Sequence, residues 1–463
     1  MGKRRSFNLM YDNTLDAFYP ELWAQESLAI LEENMVIGML VHRDFENTLA
    51  RFGDTVNTRQ PAEFTAKRKG VSDDVTIQNV SATNVPVRLN QLVHTSFLLR
   101  DGEETWSFKD LVAEYLQPAM IAQARFVDRV LLGQSAQFLG NGAGKLGGFS
   151  SSVAKQYILE ARKKMNVNKV PEAGRNLIWT PNSEAEALQL DLFISADKIG
   201  DNGTAMREAS LGRKLQFDHW MSQNASSIAT DSVDTVAGAI NLAAGYAAGT
   251  TTFTIDGFSA AIAANSWITI AGDMSPLRVV STVGGATPTS VTVSSPGNNY
   301  AVVDNAVVTV ITPGAVNFAA GYAVDYDGYI TYDGFTNAPE AGQLVTFGTD
   351  PTSPIYSIVE VTSTTMLLDR PLEAALVDNE AINPGPSGEY NFGFTRDALA
   401  LVIRPLAAPR QGVGALSAVV DYNGLAMRAT ITYDGTKQGH LVTLDMLMGV
   451  KTLNSSAGVV LFG

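Results

Sequence analysis

The sequence predicts an α+β protein whose body is interrupted by an inserted all-β region of two tandem small barrels. One observation behind this is a near repeat of ten residues, GAINLAAGYA at 238–247 and GAVNFAAGYA at 314–323. A second is the charge: residues 231–390 contain no lysine, two arginines and 16 acidic residues, in a chain of 463 residues with a net charge of −14. The excess negative charge therefore resides in this segment, an acidic insert in a neutral body.

The repeat extends beyond the two decapeptides. TTFTIDGF (251–258) corresponds to GYITYDGF (328–335), and VVDNAVV (302–308) corresponds to LVDNEAI (376–382). Within each unit, apolar and polar residues alternate, and Asp-Gly and Pro-Gly pairs separate the runs. This pattern predicts about five short strands joined by turns in each unit, typical of a small barrel or sandwich. Two copies are too few for a stacked solenoid, so each unit is expected to fold around its own core.

Composition limits the class of protein. Hydrophobic residues make up 45% and charged residues 17% of the chain, which is enough apolar material for buried cores. The absence of cysteine excludes disulfides and thiolate metal sites. No apolar run reaches the ~18 residues that span a bilayer, and the N-terminal stretch lacks the apolar core of a signal peptide. We therefore expect a protein made and used in a cytoplasm, without a membrane partner.

The body begins with a predicted amphipathic helix at residues 21–38. Its apolar side includes Trp23, Leu28 and Leu31. A lone helix of this length is only marginally stable in water, so we expect it to pack on another chain or domain.

A long hairpin is predicted next, from extended segments at 52–70 and 75–104. Its first strand includes Arg59, and a cationic tip follows at 67–69. Long polar hairpins rarely bury their edges within one subunit, and contact with a neighbour would satisfy them.

Helices and strands then alternate. A capping box at Ser107 and Asp110 precedes a short helix, and Pro118 begins a predicted helix that runs to about Leu139. A further helix is predicted near 152–166. NLIWTP (176–181) is typical of a buried strand, and the chain after the insert is rich in strands. The first and last parts of the body should share one core, because insertions enter at surface loops.

No pattern in the sequence indicates catalysis. GNGAGKLGG (140–148) departs from a phosphate-binding loop, since Leu139 stands where the first glycine is needed and Leu146 where Ser or Thr is needed. The four histidines lack metal-ligand spacing, and no nucleophile elbow is present. We predict no catalytic, cofactor-binding or metal-binding residues and no cofactor.

Four segments of the body resemble the major capsid (coat) proteins of tailed bacteriophages, which have the Hong Kong 97-type fold. More closely, they resemble the podovirus coat proteins, which carry an inserted β-domain. The segments are GDTVNTRQPAEF (53–64), MREASLGRKLQFDHWMSQN (206–224), NFGFTRDALALVIRPL (391–406) and MLMGVKTLNSSAGVVLFG (446–463). They occur in the order typical of the family. The departure is the insert, which has two units here and one in close relatives, so the role of each copy stays open.

The resemblance implies a division of the chain into parts. These are an N-terminal arm (1–52), an extended loop hairpin (53–104), a peripheral domain with a spine helix (105–149 and 441–463), an axial domain (150–230 and 391–440), inserted β-module 1 (231–312) and inserted β-module 2 (313–390). Contacts between subunits are then expected at Trp23, Leu28, Leu31, Arg59, Lys67, Arg68 and Lys69.

The resemblance also implies a function: a structural, non-enzymatic subunit that forms hexamers and pentamers of an icosahedral head around double-stranded DNA. Its partners would be other copies of the chain, a scaffolding protein during assembly, a portal protein and, in some relatives, a decoration protein. DNA would be bound non-specifically. The protein would occur in the host cytoplasm during assembly and then in the virion. Some relatives form a Lys–Asn cross-link, and none is expected here.

An alternative stays open at this point. Tandem β-modules also occur in bacterial surface or adhesive proteins that bind carbohydrate or protein. The missing signal peptide and the order of arm, hairpin and helix disfavour this interpretation.

Overall fold

The computed structural model describes residues 18–43, 53–59, 66–72, 74–75, 77, 84–100, 112–190, 211–229, 235–410, 415–422 and 425–463. Within these ranges the protein is mixed α+β and mostly β, as predicted. The capping box at 107–110 lies outside them.

The described helices are α1 (Phe18–Asn34), α2 (Gln117–Gly133), α3 (Ala154–Val167) and α4 (Pro181–Leu188). A π-helical turn, Val112–Leu116, leads into α2, and a 3-10 helix, Gln134–Asn141, continues it. Pro118 lies in the first turn of α2, where its missing N–H costs no hydrogen bond. The helix predicted from Pro118 to about Leu139 is therefore α-helical to Gly133 and 3-10 beyond it, and the π-helical turn lies where the short preceding helix is predicted. The α part spans about 25 Å.

The first strands are β1 (Thr55–Arg59), β2 (Asn84–Arg88) and β3 (Gln91–Arg100). β1 and β2 pair antiparallel as a separate two-stranded sheet, the base of the predicted hairpin. The following strands are β4 (Ala143–Gly144), β5 (Arg175–Trp179), β6 (Arg213–Lys214), β7 (Phe217–Met221) and β8 (Ser226–Ile228).

Two closed six-stranded barrels follow. Barrel 1 comprises β9 (Thr235–Ile240), β10 (Thr252–Asp256), β11 (Trp267–Ile270), β12 (Leu277–Val283), β13 (Ser290–Val293) and β14 (Val307–Ile311). Barrel 2 comprises β15 (Gly314–Val316), β16 (Ile330–Asp333), β17 (Leu344–Phe347), β18 (Tyr356–Val361), β19 (Thr365–Leu368) and β20 (Ala381–Pro384). Strand order around the two barrels is the same, and each encloses its own apolar core. Each unit has six strands where about five are predicted. The additional strand is β9 in barrel 1 and β15 in barrel 2, which contains the start of the decapeptide and closes the barrel.

The decapeptides are equivalent strand-and-turn entries to the two barrels. Gly245 and Gly321 have φ of 62° and 64°, and a Cβ at either would lie 2.4 Å from a backbone carbonyl oxygen of the neighbouring strand. Tyr246 Oη accepts from the Thr254 backbone N–H at 2.8 Å, and Tyr322 repeats this contact with Thr331 at 2.8 Å. The repeated glycine and tyrosine are therefore explained by the positive φ at the glycine and by the hydrogen bond that each tyrosine hydroxyl accepts.

The chain returns to the body through β21 (Gly388–Thr395), β22 (Leu399–Arg404), β23 (Ala415–Tyr422), β24 (Leu425–Asp434), β25 (Gly439–Thr452) and β26 (Gly458–Phe462). One body sheet has the order β4-β26-β21-β5-β7-β6, with β8 paired to β21. The other has the order β22-β25-β24-β23, and β3 pairs with β25 over its whole length. Since β8 and β21 pair with Gly388 opposite Ile228, the chain leaves and re-enters the body at one place.

A buried aromatic pair links the parallel strands β5 and β7. Trp179 Nε1–H donates to His219 Nδ1 at 2.9 Å, and His219 Nε2 lies 3.1 Å from Lys214 O. Nδ1 is therefore an acceptor, and Nε2 carries the proton of a neutral ring. Burial lowers the pKa of His219 from 6.5 to about 4.

We expect His219→Gln to remove one source of acid sensitivity. As pH falls from 6.5 toward 4, the unfolded chain binds a proton at His219 that the folded chain does not, so stabilisation present above pH 6.5 is lost. A shift of this size corresponds to about 3 kcal/mol. The free energies of unfolding of wild type and variant, measured in urea, should therefore converge by about that amount between neutral pH and pH ~4. Parallel pH profiles for the two proteins would contradict the assignment.

Candidate assembly surfaces

The distal part of the β1–β2 hairpin presents both cationic and apolar side chains to solvent. We call the described residues 66–72, 74, 75 and 77 the hairpin tip. The predicted cations at 67–69 are all exposed there. Val71, Val75 and Ile77 are 105%, 76% and 86% exposed.

None of these three apolar residues is among the predicted contacts. A signal for two of them is present, because VTIQ (75–78) alternates apolar and polar residues in a segment that is otherwise mostly polar. At the base of the hairpin, by contrast, Val87 and Leu89 are buried against Leu447 of the body. The hairpin is thus fixed at its base and uncovered at its tip. Arg59 ends β1 opposite Asn84, and its side chain lies outside the described residues.

Three of the residues expected at contacts between subunits lie in the chain's own core. Trp23, Leu28 and Leu31 are buried, and α1 packs on α2, β23 and β24. The helix does need a partner, as expected, but this chain supplies it. These three side chains are therefore core residues of the subunit, and they are not available at its surface.

A buried carboxylate fixes the turn that follows α1. Asp128 in α2 accepts hydrogen bonds from the backbone N–H groups of Val36, Ile37 and Gly38, at 3.1, 3.1 and 3.3 Å. Burial raises the pKa of Asp128 from 3.8 to about 6 despite these bonds. The contact joins positions about 90 residues apart, so no local pattern in the sequence could indicate it.

We expect Asp128→Ala to destabilise the protein by about 3 kcal/mol at neutral pH. Three N–H groups, two of them buried and that of Val36 partly buried, lose their acceptor, at roughly 1–3 kcal/mol each. Relief of the desolvated charge offsets about 3 kcal/mol of this, since the pKa is raised by about two units. Hydrogen exchange should accelerate most at the amides of residues 36–38. Unchanged exchange there would show that Asp128 does not hold this turn.

Asp128 also has a defined pH signature. Because its folded-state pKa is raised, the folded chain binds the proton more tightly between pH 3.8 and about 6, and this group's contribution to stability rises as pH falls through that window. Its sign is opposite to that of His219.

Barrel 2 is anchored to the rod that contains α2. The buried Asp369 carboxylate accepts from Gln134 Nε2 at 2.9 Å and pairs with Arg370 at 2.9 Å, and its backbone oxygen accepts from Gln91 Nε2 at 2.7 Å. Gly133 permits this approach, since a Cβ there would lie 2.7 Å from the Asp369 Cβ. Barrel 2 therefore contacts both α2 and the start of β3.

Barrel 1 is anchored to α3 by polar contacts. The Tyr300 hydroxyl donates to Glu160, and Lys164 Nζ donates to Asn299 Oδ1 at 2.9 Å. Burial, with the neighbouring Glu160, raises the pKa of Tyr300, and burial lowers that of Lys164. Among the described residues, no apolar cluster joins barrel 1 to the body, so barrel 1 is held by polar contacts where barrel 2 also shares an apolar core.

The glycine-rich segment at 140–148 serves this junction. Gly144 N–H donates to Tyr300 Oη at 3.0 Å, and Lys145 Nζ lies 4.7 Å from the centre of the Tyr300 ring. The segment thus holds barrel 1 against the body.

In the described part of the chain, no group of three or more His, Asp or Glu side chains is arranged to hold a metal ion. Likewise, none of the helices described is long and apolar enough to cross a membrane.

No protein-family model matches the chain, and no curated protein matches it. Solved structures are similar to it at low identity. A structure titled "Mycobacterium phage Che8" is 12% identical, with a TM-score of 0.41 over 92% of this chain and 90% of that one. The capsid structure of the cyanophage P-SCSP1u is 9% identical, with a TM-score of 0.40 over 90% and 84%. The capsid structure of Staphylococcus phage Andhra is 8% identical, with a TM-score of 0.38 over 91% and 84%.

At these TM-scores the similarity by itself carries no conclusion about this chain. All three structures come from bacteriophages, the class whose capsid proteins the sequence motifs resemble.

Proposed function

We propose that this chain is the major capsid subunit of a tailed bacteriophage. In this proposal it assembles into hexamers and pentamers of an icosahedral head that encloses double-stranded DNA, and it carries out no catalysis. The resemblance of four sequence segments supports the class of protein.

The observation that carries the proposal is the hairpin tip. Large apolar side chains that stand fully in solvent beside three cations mark a surface that another molecule covers. A hairpin alone is marginally stable in water, so a neighbouring copy of the chain is the natural support for its distal part. The base packs on the body and the three apolar side chains of the tip are exposed, which suits an element that reaches from one subunit to the next.

The remaining parts receive roles by the same proposal. The rod from 112 to 141 is the spine helix of the peripheral domain, and the sheet that contains β5, β7 and β21 belongs to the axial domain. The predicted boundary between these two domains crosses both body sheets, since β26 pairs with β21 and β25 pairs with β22. Scaffolding, portal and decoration proteins are proposed partners, and the virion is the proposed location.

Charge gives the insert a proposed position. A net charge of −14 on residues 231–390 would be repelled by packaged DNA, whereas the neutral body tolerates non-specific contact with it. We therefore place both barrels on the outer surface of the head.

Electron microscopy of the expressed chain, with and without a scaffolding protein, tests the proposal. Shells or rings of capsomer size are expected, with density for the barrels on the outside. A protein that stays monomeric under both conditions contradicts the proposed function. Barrels on the inner face of a shell contradict only their placement.

A further inference from the structure

A cavity of about 250 Å³ lies where both barrels and the body meet. Barrel 1 contributes Trp267, Arg278 and Ser294 to its wall, barrel 2 contributes Ile355, and the body contributes Phe462. Among the described residues that line it, none is an aspartate or a glutamate. This lack of acidic residues stands out in an insert with only two arginines and 16 acidic residues.

One wall of the cavity carries a buried donor without an acceptor. Trp267 is 1% exposed, and in the described part of the chain its indole Nε1–H has no hydrogen-bond partner. Buried polar groups are nearly always hydrogen-bonded, so an unpaired indole N–H at a cavity wall indicates that something in the cavity accepts from it.

The same wall carries a buried cation without an ion pair. Arg278 is 8% exposed, and its guanidinium donates to neutral oxygens, including Asn265 Oδ1 at 2.7 Å and Ser353 O at 2.8 Å. No described carboxylate lies within 4.0 Å of it. Burial lowers its pKa to about 10, and the charge of Asp350 opposes this only in part. A desolvated cation of this kind favours an anion at its free side.

The Trp267 indole and the Arg278 guanidinium lie on the same face of the barrel 1 wall. Trp267 and Arg278 are directly opposite each other on the antiparallel strands β11 and β12, so their side chains lie on the same side of the barrel wall. The hydroxyl group of Ser294 adds a further donor at the cavity, whereas the Ser275 hydroxyl already donates to the buried Asp273 carboxylate. Its volume exceeds the ~30 Å³ of one water several times over, which leaves room for a small ion with its hydration.

We propose that this cavity binds a small oxyanion, a phosphate or a carboxylate, held by the Arg278 guanidinium and the Trp267 indole N–H. Because Arg278 also holds Ser353 of barrel 2, and because Phe462 of the body lines the same cavity, a bound anion stabilises the three-way junction. The site does not depend on shell assembly and exists in the isolated subunit.

Thermal unfolding of the full chain in inorganic phosphate tests the proposal. The midpoint should rise with phosphate concentration and saturate, beyond the effect of chloride at the same ionic strength. Sodium acetate is the carboxylate probe, and a saturable rise with either anion supports the proposal. No rise with either anion, beyond that in chloride, overturns it and leaves water as the occupant of the cavity.

Trp267→Phe is the decisive variant, since it removes the N–H and keeps the aromatic ring. It should weaken anion binding about tenfold or more, the effect of losing one hydrogen bond to a charged acceptor. Arg278→Gln should abolish anion binding. If that variant does not fold, Trp267→Phe alone tests the proposal, because it keeps the aromatic ring. Trp220→Phe, at an exposed tryptophan on β7, is the matched control and should leave binding unchanged. Equal affinity in wild type and Trp267→Phe overturns the proposal.

Discussion

Replacing Val71, Val75 and Ile77 together with serine is expected to abolish shell formation while leaving the subunit folded. The three side chains are almost fully exposed in the subunit, so folding gains little from them. Covered by a neighbour, each would contribute roughly 1.5–3 kcal/mol, or at least about 5 kcal/mol for the set. A loss of this free energy lowers the association constant between two subunits more than a thousandfold. The same loss occurs at every such contact in the shell. Electron microscopy and sedimentation velocity measure the loss, and urea unfolding verifies the fold.

A matched control exists in the insert. Val283, Val303 and Val377 are 63%, 70% and 64% exposed and lie on the barrels. Their triple serine variant removes a similar exposed apolar area and should still assemble. If the hairpin-tip variant forms shells as readily as this control, the hairpin tip is not the contact between subunits that we propose.

Removing barrel 2 is expected to destabilise the body far more than removing barrel 1. Leu344 and Val359 of barrel 2 belong to the main apolar core of the body, together with residues of α1 and α2. Losing them costs roughly 3–6 kcal/mol at about 1.5–3 kcal/mol each, and the Asp369 contacts are lost as well. Barrel 1 has a separate core, and its anchors on α3 are polar. In each deletion variant a flexible linker joins the cut ends. The free energies of unfolding of the two variants, measured in urea, are then compared.

The same asymmetry can be tested within one strand. Leu344 and Val345 are adjacent on β17 and both buried, but Leu344 packs in the body core and Val345 in the barrel 2 core. Leu344→Ala should accelerate hydrogen exchange in α2, whereas Val345→Ala should do so only within barrel 2. Identical exchange patterns would show that barrel and body unfold as one unit.

Barrel 2 is joined to the body by more than the surface loop at which an insertion enters, because Leu344 and Val359 pack in the body core. The repeat and the charge distribution mark the limits of the insert, and the pairing of β8 with β21 shows that the chain leaves and returns at one place. The sequence has no means to indicate that Leu344 faces outward from its barrel into the body. The alternation of apolar and polar residues along a strand assigns each side chain to one of the two faces of the sheet. Which other segment covers that face depends on tertiary packing.

The prediction for the N-terminal helix illustrates the same limit. The apolar side of α1 was recognised, together with its need for a partner. Whether that partner is a neighbour or the chain itself depends on contacts with α2, β23 and β24, which are distant in sequence. At the hairpin, the charged residues are predicted contacts and the exposed Val71, Val75 and Ile77 beside them are not, because an apolar residue in a strand is ordinarily assigned to a core.

The features that the sequence predicts are local or repeated: the α+β class, the two small barrels, the partition of charge, the helix that begins near Pro118 and the lack of a catalytic motif. Periodicity, turn residues and internal similarity act over a few residues or compare a segment with its own copy. The tertiary structure alone decided which groups meet across long separations, as with Asp128 and the turn after α1. Among the described residues, it also decided that the Trp267 indole N–H has no hydrogen-bond acceptor and that the Arg278 guanidinium is bonded to neutral oxygens. Burial and pairing are properties of the packed chain, so these sites become visible only when distant segments are placed side by side.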